Sequence, residues 1–223
     1  MNTNLELETV RLTPKDFDRA ADLLVEAFYD NPAHVYIYMS PDESNRLKAI
    51  HWGMRRNLNL QASIGSSFAL VESDKPPGER EIKQMAFWHP PNSDSISIVS
   101  MIKEGLLTMP FRFGWGTFKR VLEVTEEFDA IKDRVTTKNP VWYLNNMVVA
   151  KELRGTGIGT QVLKNQLESV VDPSSFSTIL MTQRETNVRF YQRLGFEVVD
   201  ESTVGSGEYA FTNWCLVRPS SQS

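Results

Sequence analysis

The stretch that decides the fold reads Arg154-Gly155-Thr156-Gly157-Ile158-Gly159. The run 142–149 that precedes it is rich in aromatic and β-branched residues, which favour a buried strand. After it, apolar residues such as Leu163 and Leu167 recur at helical spacing. A strand, a glycine-rich turn and a helix therefore meet at this point of the chain.

The glycine-rich turn is typical of a phosphate-binding site. Glycines let the backbone approach a phosphate closely, and the unpaired N–H groups of the first helical turn attract negative charge. A P-loop would need Gly-Lys-Ser or Gly-Lys-Thr, where the chain has Gly159-Thr160-Gln161. A dinucleotide fingerprint would need a longer spacer than Ile158 between its last glycines. The turn predicts a diphosphate site, with a ligand-free connection as the alternative.

The composition is that of an ordinary globular protein. Of 223 residues, 41% are hydrophobic and 23% charged, and no run of about 18 apolar residues could span a membrane. The start of the sequence lacks the features of a signal peptide, and the one cysteine, Cys215, excludes an intrachain disulfide. The net charge is −4, without a block of Lys and Arg. We expect one cytoplasmic domain that binds no nucleic acid, membrane or metal.

Strand-like and helix-like runs alternate along the chain. Thr13-Pro14-Lys15-Asp16 provides an N-cap and a proline at the first helical position, so a helix is expected to about Tyr29. A second helix is expected over about 41–63 and a short one over 187–194. A helical insertion or lid is expected over about 95–140, and a flexible tail over 218–223. Further strands are expected at 5–12, 68–72, 83–88, 178–183, 196–200 and 209–217.

Two motifs in this order resemble the GNAT acetyltransferase superfamily. Residues 147–159 are similar to its acetyl-CoA motif, whose Arg/Gln-x-x-Gly-x-Gly core matches Arg154, Gly157 and Gly159. Lys151 departs from that motif, which usually has proline there. Residues 187–196, Asn-Val-Arg-Phe-Tyr-Gln-Arg-Leu-Gly-Phe, resemble the second motif of the superfamily. A narrower likeness at 85–91 and 142–144 is to puromycin-acetyltransferase-like members, which modify small amines.

The resemblance implies both a fold and an activity. The fold is a single α/β (α+β) domain over 1–223, with a mixed, mostly antiparallel sheet of about seven strands, splayed at the acetyl-CoA motif, and helices on both faces. The implied activity is transfer of an acetyl group from acetyl-CoA directly to a primary amine of a small molecule. Acetylation of a protein N-terminus or lysine, and a non-catalytic acyl-CoA-binding module, are the alternatives. The chain is expected to be a monomer or a homodimer.

Cofactor-binding residues follow from the two motifs. We expect pantetheine to pair with the main chain of Met147, Val148 and Val149 as an added strand would. Asn187 and Tyr191 lie on one helical face, which in the superfamily meets the cofactor. Tyr191 is the expected proton donor, because a phenol of pKa about 10 can protonate a thiolate whose thiol has a pKa of about 8.5. N–H groups for the diphosphate are expected at Arg154, Gly155, Thr156, Gly157, Ile158, Gly159 and Thr160.

The proton acceptor and the amine pocket rest on fewer residues. Glu26, and Asn145 as the holder of a water molecule, are the expected catalytic partners of Tyr191. Asp30, His89 and Glu208 are alternatives for the proton acceptor. Cys215 is expected to be a small buried hydrophobe, so the amine would attack directly. An aromatic pocket for a flat or apolar amine is expected from Phe28, Tyr29, Trp88 and Trp142, with the aromatic group at 111–115.

Overall fold

The computed structural model describes residues 7–72, 75–93, 96–137 and 139–220. Within these ranges a seven-stranded sheet has the order β1-β2-β3-β4-β5-β7-β6. Its strands are β1 (Leu7–Arg11), β2 (Ser66–Glu72), β3 (Ile82–His89), β4 (Trp142–Val149), β5 (Thr178–Thr182), β6 (Glu197–Val204) and β7 (Phe211–Arg218). Strands β4 and β5 are parallel, and the other neighbouring pairs are antiparallel. The mixed, mostly antiparallel sheet expected from the sequence is confirmed.

Helices cover both faces of the sheet, as expected. Met85 and Phe87 of β3 pack with α1 and α3, whereas Trp88 packs with α6 and α7. Likewise Tyr143 of β4 packs with α2 and α5, whereas Leu144 packs with α6 and α7. Since successive residues of a strand point to opposite faces, α1, α2, α3 and α5 share one face. The helices are α1 (Phe17–Phe28), α2 (Pro32–Ile37), α3 (Glu43–Ala62), α4 (Ile98–Lys103), α5 (Met109–Thr136), α6 (Ile158–Gln166) and α7 (Glu185–Gln192).

The start of the first helix is built as its sequence predicts. A 3-10 turn, Pro14–Asp16, leads directly into α1. The backbone N–H of Thr13 donates to Oδ2 of Asp16 over 2.8 Å, which is one half of a capping box. Asp16 is buried and also accepts from the N–H of Gly78 over 2.9 Å. The cap therefore ties α1 to the turn between β2 and β3.

Helix α2 is absent from the sequence-based prediction, in which the first helix ends at about Tyr29 and the next covers about 41–63. In the structure Asn31 is the N-cap of a new helix, and its side-chain oxygen accepts from the N–H of Ala33 over 2.9 Å. Pro32 occupies the first helical position, where its missing N–H costs no hydrogen bond. The same two residues therefore end one helix and begin the next.

The segment expected to be an insertion or lid contains α4, a 3-10 turn (Leu106–Thr108) and α5. Helix α5 is interrupted at Gly114, whose φ of 87° and ψ of 154° are not helical. At the other end of the chain, Arg218 is the last residue of β7 and pairs with Asp172, so the expected tail begins later than predicted. Residues 5, 6, 95, 138 and 221–223 of the predicted elements lie outside the described ranges. Among the described helices, none has the length and apolarity needed to cross a bilayer.

Candidate functional site

Strands β4 and β5 separate after a short stretch of pairing. They pair only from Trp142 to Leu144 on the β4 side, although β4 continues to Val149. On its other edge β4 carries a bulge, because Asn145 opposes Phe87 whereas Val148 opposes Met85. Two residues of β4 thus face one residue of β3, which bends the strand. Asn146 lies in this bulge with a φ of 50°. The result is an opening between β4 and β5.

The main chain of β4 faces this opening at alternate residues. The N–H of Ala150 donates to the carbonyl of Lys83 in β3 over 2.8 Å. In an antiparallel ladder alternate residues bond to opposite sides, so Val149 and Met147 direct their main-chain groups toward β5. Nε of Arg154 confirms this direction, since it donates to the carbonyl of Val149 over 2.9 Å. The main-chain groups of Val148, by contrast, are directed toward β3. The expected main-chain contact between Val148 and pantetheine is therefore corrected.

The glycine-rich turn places the start of α6 beside Val149. Gly155 and Gly157 have φ values of 78° and 88°, and a Cβ added to either would meet nothing within 4 Å, so conformation rather than crowding requires glycine there. A Cβ on Gly159 would lie 3.0 Å from Cγ2 of Val149. Residues Arg154, Thr156 and Gly157 are exposed, and Ile158, Gly159 and Thr160 are half-buried. The N–H groups of the first turn of α6 therefore lie at the edge of the opening.

Tyr191 reaches the same opening from α7. Its hydroxyl lies 3.8 Å from Sδ of Met147, and its ring packs edge-on against Phe190 and Phe196. Burial raises the pKa of Tyr191 well above that of a free phenol, so the hydroxyl remains protonated. Asn187, one turn earlier, donates from Nδ2 to Oγ1 of Thr182 over 3.0 Å and thereby joins α7 to the end of β5.

A cavity of about 570 Å³ extends from the opening toward α2, α3, α4 and α5. Six of the residues proposed from the sequence line this cavity, namely Phe28, His89, Asn145, Met147, Asn187 and Tyr191. Much of the remaining lining is apolar and comes from the helices, including Met54, Met101, Leu106, Met109 and Phe128. The structure therefore joins the expected cofactor face and part of the expected amine pocket in one space.

Trp88 and Trp142 do not line the cavity, and their prediction as substrate contacts is corrected. Trp88 is fully buried and its indole N–H donates to Oε1 of Gln166 over 2.8 Å. Trp142 meets Trp88 edge-on, with ring centroids 6.2 Å apart, and donates to Oγ of Ser174 over 2.6 Å. Both indoles lie on the sheet face that α6 and α7 cover. The alternation of side chains places their neighbours, His89 and Tyr143, on the cavity face instead.

Other predicted residues also lie outside the cavity lining. Glu26 is exposed on α1 and does not line this cavity. The hydroxyl of Tyr29 donates to Glu43 over 3.0 Å, and the guanidinium of Arg46 lies over its ring. Asp30 is paired with Arg184 over 2.5 Å, and Glu208 is exposed near β7. The aromatic group at 111–115 is absent from the lining as well.

Comparison with solved structures identifies the fold. An acetyltransferase of Corynebacterium glutamicum, described as histone acetyltransferase HPA2 and related acetyltransferase, superposes with a TM-score of 0.62 at 18% identity, covering 96% of this chain and 97% of that chain. The polyamine N-acetyltransferase of Drosophila melanogaster, which forms N-acetylagmatine, superposes with a TM-score of 0.59 at 11% identity, covering 95% of this chain and 99% of that chain. At these identities the likeness concerns the fold.

A family model for the acetyltransferase (GNAT) domain matches residues 124–212, from α5 into β7. This range contains the opening, the glycine-rich turn and Tyr191. Residues 124–212 of the protein match the GNAT acetyltransferase domain. The match confirms the superfamily resemblance of the two motifs and supports the enzyme class expected from them.

A curated relative matches most of the length of this chain. A probable serine/threonine-protein kinase of Dictyostelium discoideum is 25% identical over 203 residues, which are 86% of this chain and 21% of that protein. The chain thus spans about a fifth of the length of this relative. The name of the relative describes the longer protein.

The cavity beside the opening contains a buried histidine. His89, at the end of β3, lines the cavity with 7% of its surface exposed, and its Nε2 has no partner within the described ranges. The imidazole lies 5.4 Å from the ring of Tyr143, and Gly65 approaches so closely that an added Cβ would be 2.9 Å from Cδ2 of His89. Burial, with a smaller contribution from Lys132, lowers the pKa of His89 to about 4. His89 is therefore neutral at pH 7.

The cavity lining also contains two carboxylates that were not predicted from the sequence. Glu104, at the end of α4, accepts from Nδ2 of Asn59 over 2.8 Å, and Asp129 lies on α5. Burial raises the pKa of Asp129, which the nearby Lys132 partly offsets. Neither residue belongs to a motif, and only the packing of α4 and α5 over the sheet brings them to the site. In the described part of the chain, no group of three or more His, Cys, Asp and Glu is arranged to hold a metal ion.

Proposed function

We propose that this protein is an acetyl-CoA-dependent N-acetyltransferase that moves an acetyl group directly to a primary amine of a small molecule. One arrangement carries the proposal: the main chain of Met147 and Val149, the start of α6 and the hydroxyl of Tyr191 all border the opening between β4 and β5. This opening leads into a cavity of about 570 Å³ with apolar and polar parts of its lining. An elongated donor and a separate acceptor can meet there in a ternary complex.

The donor would be held mainly by backbone groups. The amides of pantetheine would pair with the main chain of Met147 and Val149, as a neighbouring strand does. The diphosphate would meet the N–H groups of 158–160, which have no carbonyl one turn earlier to accept them. The guanidinium of Arg154 adds positive charge beside this turn and is oriented by its hydrogen bond to Val149.

Proton transfers would come from the two sides of the sheet. Attack of the neutral amine forms the C–N bond of a tetrahedral intermediate, and collapse of that intermediate breaks the C–S bond. His89 would accept the proton that the amine nitrogen loses, directly or through water bound at Asn145. Tyr191 would donate a proton to the departing thiolate, a role that the position of its hydroxyl at the opening supports.

The lining of the cavity supports a small amine with an apolar body as the acceptor. Apolar side chains from α3, α4 and α5 form one part of the wall, against which an apolar body would be desolvated. The carboxylates of Glu104 and Asp129 would attract the ammonium form of an amine on its way to the opening. The fold is shared with a polyamine N-acetyltransferase, which supports an amine acceptor without fixing its identity.

The test is an acetyl-transfer assay with a panel of acceptors. Purified protein is incubated with acetyl-CoA and arylalkylamines, alkyl diamines or lysine-containing peptides, and released thiol and product mass are both measured. We expect an acetylated small amine and one equivalent of CoA for each product. Acetylation of peptides alone would contradict the small-amine proposal.

Donor binding is measured separately by calorimetry with CoA and acetyl-CoA. We expect saturable binding of both, since most of the proposed contacts are to pantetheine and diphosphate. Absence of binding would contradict the use of acetyl-CoA altogether. Binding without turnover on any amine would indicate a non-catalytic acyl-CoA-binding module instead.

We also propose that the enzyme works in the cytoplasm. Its single cysteine, Cys215, is buried, and no disulfide is required to hold the described fold together. Fractionation of cells that express the tagged chain would test this. Recovery in a secreted or organellar fraction would contradict it.

A further inference from the structure

A continuous part of the chain exposes large apolar side chains to solvent. Phe111 is 85% exposed and Trp115 is 61% exposed. The rings of Phe111 and Trp115 are 6.5 Å apart, and Trp115 meets Phe118 edge-on at 5.9 Å. Exposed apolar patches of this kind mark interaction sites more often than chance. The exposed apolar residues of this surface, called here the 99–122 surface, are Val99, Ile102, Leu107, Phe111, Trp115 and Leu122.

Packing against the described chain covers only one side of this apolar segment. Its inner side already contributes Met101, Leu106 and Met109 to the cavity lining. Phe113 packs edge-on against Trp52 of α3, with centroids 5.5 Å apart. The non-helical backbone of Gly114 interrupts α5 between Phe113 and the exposed Trp115. The segment is therefore apolar on both sides, and the outer side lacks a partner within the described chain.

The charges on this surface are of one sign. Lys103, Arg112 and Lys119 are exposed among the apolar residues, in a chain whose net charge is −4. The other two charged residues of 99–122 are turned inward, since Glu104 binds Asn59 and Arg120 donates to the carbonyl of Ile37 over 3.1 Å. The surface thus offers protruding aromatic side chains surrounded by cations and is complementary to an anionic, apolar partner.

We propose that the 99–122 surface binds an anionic lipid bilayer at its headgroup region. Phe and Trp that protrude between Lys and Arg are the composition of interfacial membrane-binding segments. A symmetric contact with a second copy would bring Lys103, Arg112 and Lys119 against their own counterparts, which is unfavourable. This proposal departs from the sequence-based expectation that the chain binds no membrane, which relied on the absence of a long apolar run.

This attachment would bring the acceptor cavity to the lipid surface. The residues that line the cavity and the residues that face the bilayer belong to the same short segment, on its opposite sides. An amine with an apolar body concentrates at a membrane surface, where the enzyme would then meet it. The lipid-binding inference itself rests on the 99–122 surface alone, so it holds or fails independently of the proposed catalytic activity.

Vesicle sedimentation tests the proposal. Purified full-length protein is mixed with phosphatidylcholine vesicles, with or without phosphatidylserine, at low and at high salt. We expect sedimentation with the anionic vesicles, a strong reduction by salt and little binding to phosphatidylcholine alone. Protein that remains in the supernatant with both kinds of vesicle at low salt would overturn the proposal.

Variants locate the binding surface. The double variant Phe111→Ser/Trp115→Ser is expected to bind anionic vesicles at least about tenfold more weakly. Lys103→Glu/Lys119→Glu is expected to lose the dependence on phosphatidylserine. Phe176→Ser, which replaces an apolar residue 37% exposed elsewhere on the surface, is the matched control and should bind as wild type.

Circular dichroism checks that each variant is folded, and size-exclusion chromatography with light scattering reports oligomers. Wild-type affinity in a folded Phe111→Ser/Trp115→Ser variant would overturn the proposal. So would a dimer that this variant dissociates while vesicles sediment neither protein, because the surface would then bind a second copy.

Discussion

The proposed catalytic role of Tyr191 can be tested by a substitution that leaves the fold intact. The contact of its hydroxyl within the described chain is Sδ of Met147 at 3.8 Å, a weak hydrogen bond. Tyr191→Phe should therefore preserve the fold and the affinity for acetyl-CoA while lowering kcat by about 100-fold, the usual contribution of a positioned acid. Steady-state kinetics and calorimetry with CoA measure the two effects.

The matched control for Tyr191 is Tyr209→Phe, which removes the hydroxyl of an exposed tyrosine next to β7. Its kcat should equal that of wild type. An unchanged kcat in Tyr191→Phe, with the same affinity for CoA, would exclude the hydroxyl from the reaction.

His89 is the second residue with a separable role. Since Nε2 of His89 is buried without a partner, replacement by Gln leaves a polar side chain of similar reach but no basic nitrogen. His89→Gln should lower kcat by about 10- to 100-fold with little change in the Kd of acetyl-CoA. Asn145→Ala should give a smaller loss, because it affects only the water. Equal kcat values in His89→Gln and wild type would exclude His89 as the proton acceptor.

Binding of acetyl-CoA is expected to depend on the close contact between α6 and β4. A side chain at Gly159 would press on Val149 and Met147, with Cβ distances of 3.0 and 3.5 Å to their side chains. Gly159→Val should therefore shift α6 away from β4 and weaken acetyl-CoA binding by about tenfold or more, in line with an overpacking cost of about 1–3 kcal/mol.

Gln161→Val is the control for Gly159→Val, since it places valine at an exposed position of the same helix. It introduces the same β-branched side chain without crowding β4, and its Kd for acetyl-CoA should remain near that of wild type. If both variants lose affinity equally, the close approach of α6 to β4 is not what the donor requires.

Helix α2 depends on Asn31, which is buried between the end of α1 and Gln183, the residue that follows β5. Its side-chain oxygen caps α2, and its Nδ2 donates to Oε1 of Gln183 over 3.1 Å. Asn31→Ala should reduce the free energy of unfolding by about 2 kcal/mol, because a cap and a buried hydrogen bond are both lost. Asn31→Ser keeps a capping oxygen and should lose about half as much in urea unfolding. Equal losses in the two variants would show that the cap contributes nothing.

The elements differ in how far their sequence determines them. The strand, glycine-rich turn and helix around Gly157 could be predicted, because the conformation of this turn requires glycine whatever packs around it. The bulge at Asn146 could not be predicted, since it depends on the register between β3 and β4. Trp88 and Trp142 were assigned to the wrong face for a similar reason: an almost uniformly apolar strand such as β3 does not show which face meets which helix.

At the scale of the whole molecule, the sheet separates two sets of functional groups. Tyr191 approaches the opening from the face covered by α6 and α7, whereas His89 lies on the face covered by α1, α3 and α5. In the proposed mechanism the proton donor and the proton acceptor would therefore act on one thioester without contacting each other. Groups from the two faces of the sheet come together at the opening between β4 and β5.

Burial of histidines in the cavity makes the stability of the whole molecule depend on pH. Burial lowers the pKa of both His34 and His89 from 6.5 to about 4, with contributions from Arg46 and Lys132 respectively. Each folded-state pKa is below its unfolded value, so the stabilisation is complete above about pH 6.5 and is lost as the pH falls toward about 4. The loss should approach 1.4 kcal/mol per pH unit for each histidine at most. Thermal unfolding between pH 7 and 4 should show Tm falling in this window.

The variant His34→Gln/His89→Gln should have a flatter Tm profile between about pH 6.5 and 4, even if its Tm at pH 7 is lower. His51→Gln is the control, because His51 lies at the surface beside Asp22, and its profile should follow that of wild type. The slope rather than the absolute Tm is the readout, so a general loss of stability does not obscure the result. If the double variant keeps the wild-type slope, the acid sensitivity comes from carboxylates such as Asp16, whose pKa burial would raise but whose hydrogen bonds from Thr13 and Gly78 hold it low. Acid would then weaken the first helix before it weakens the cavity.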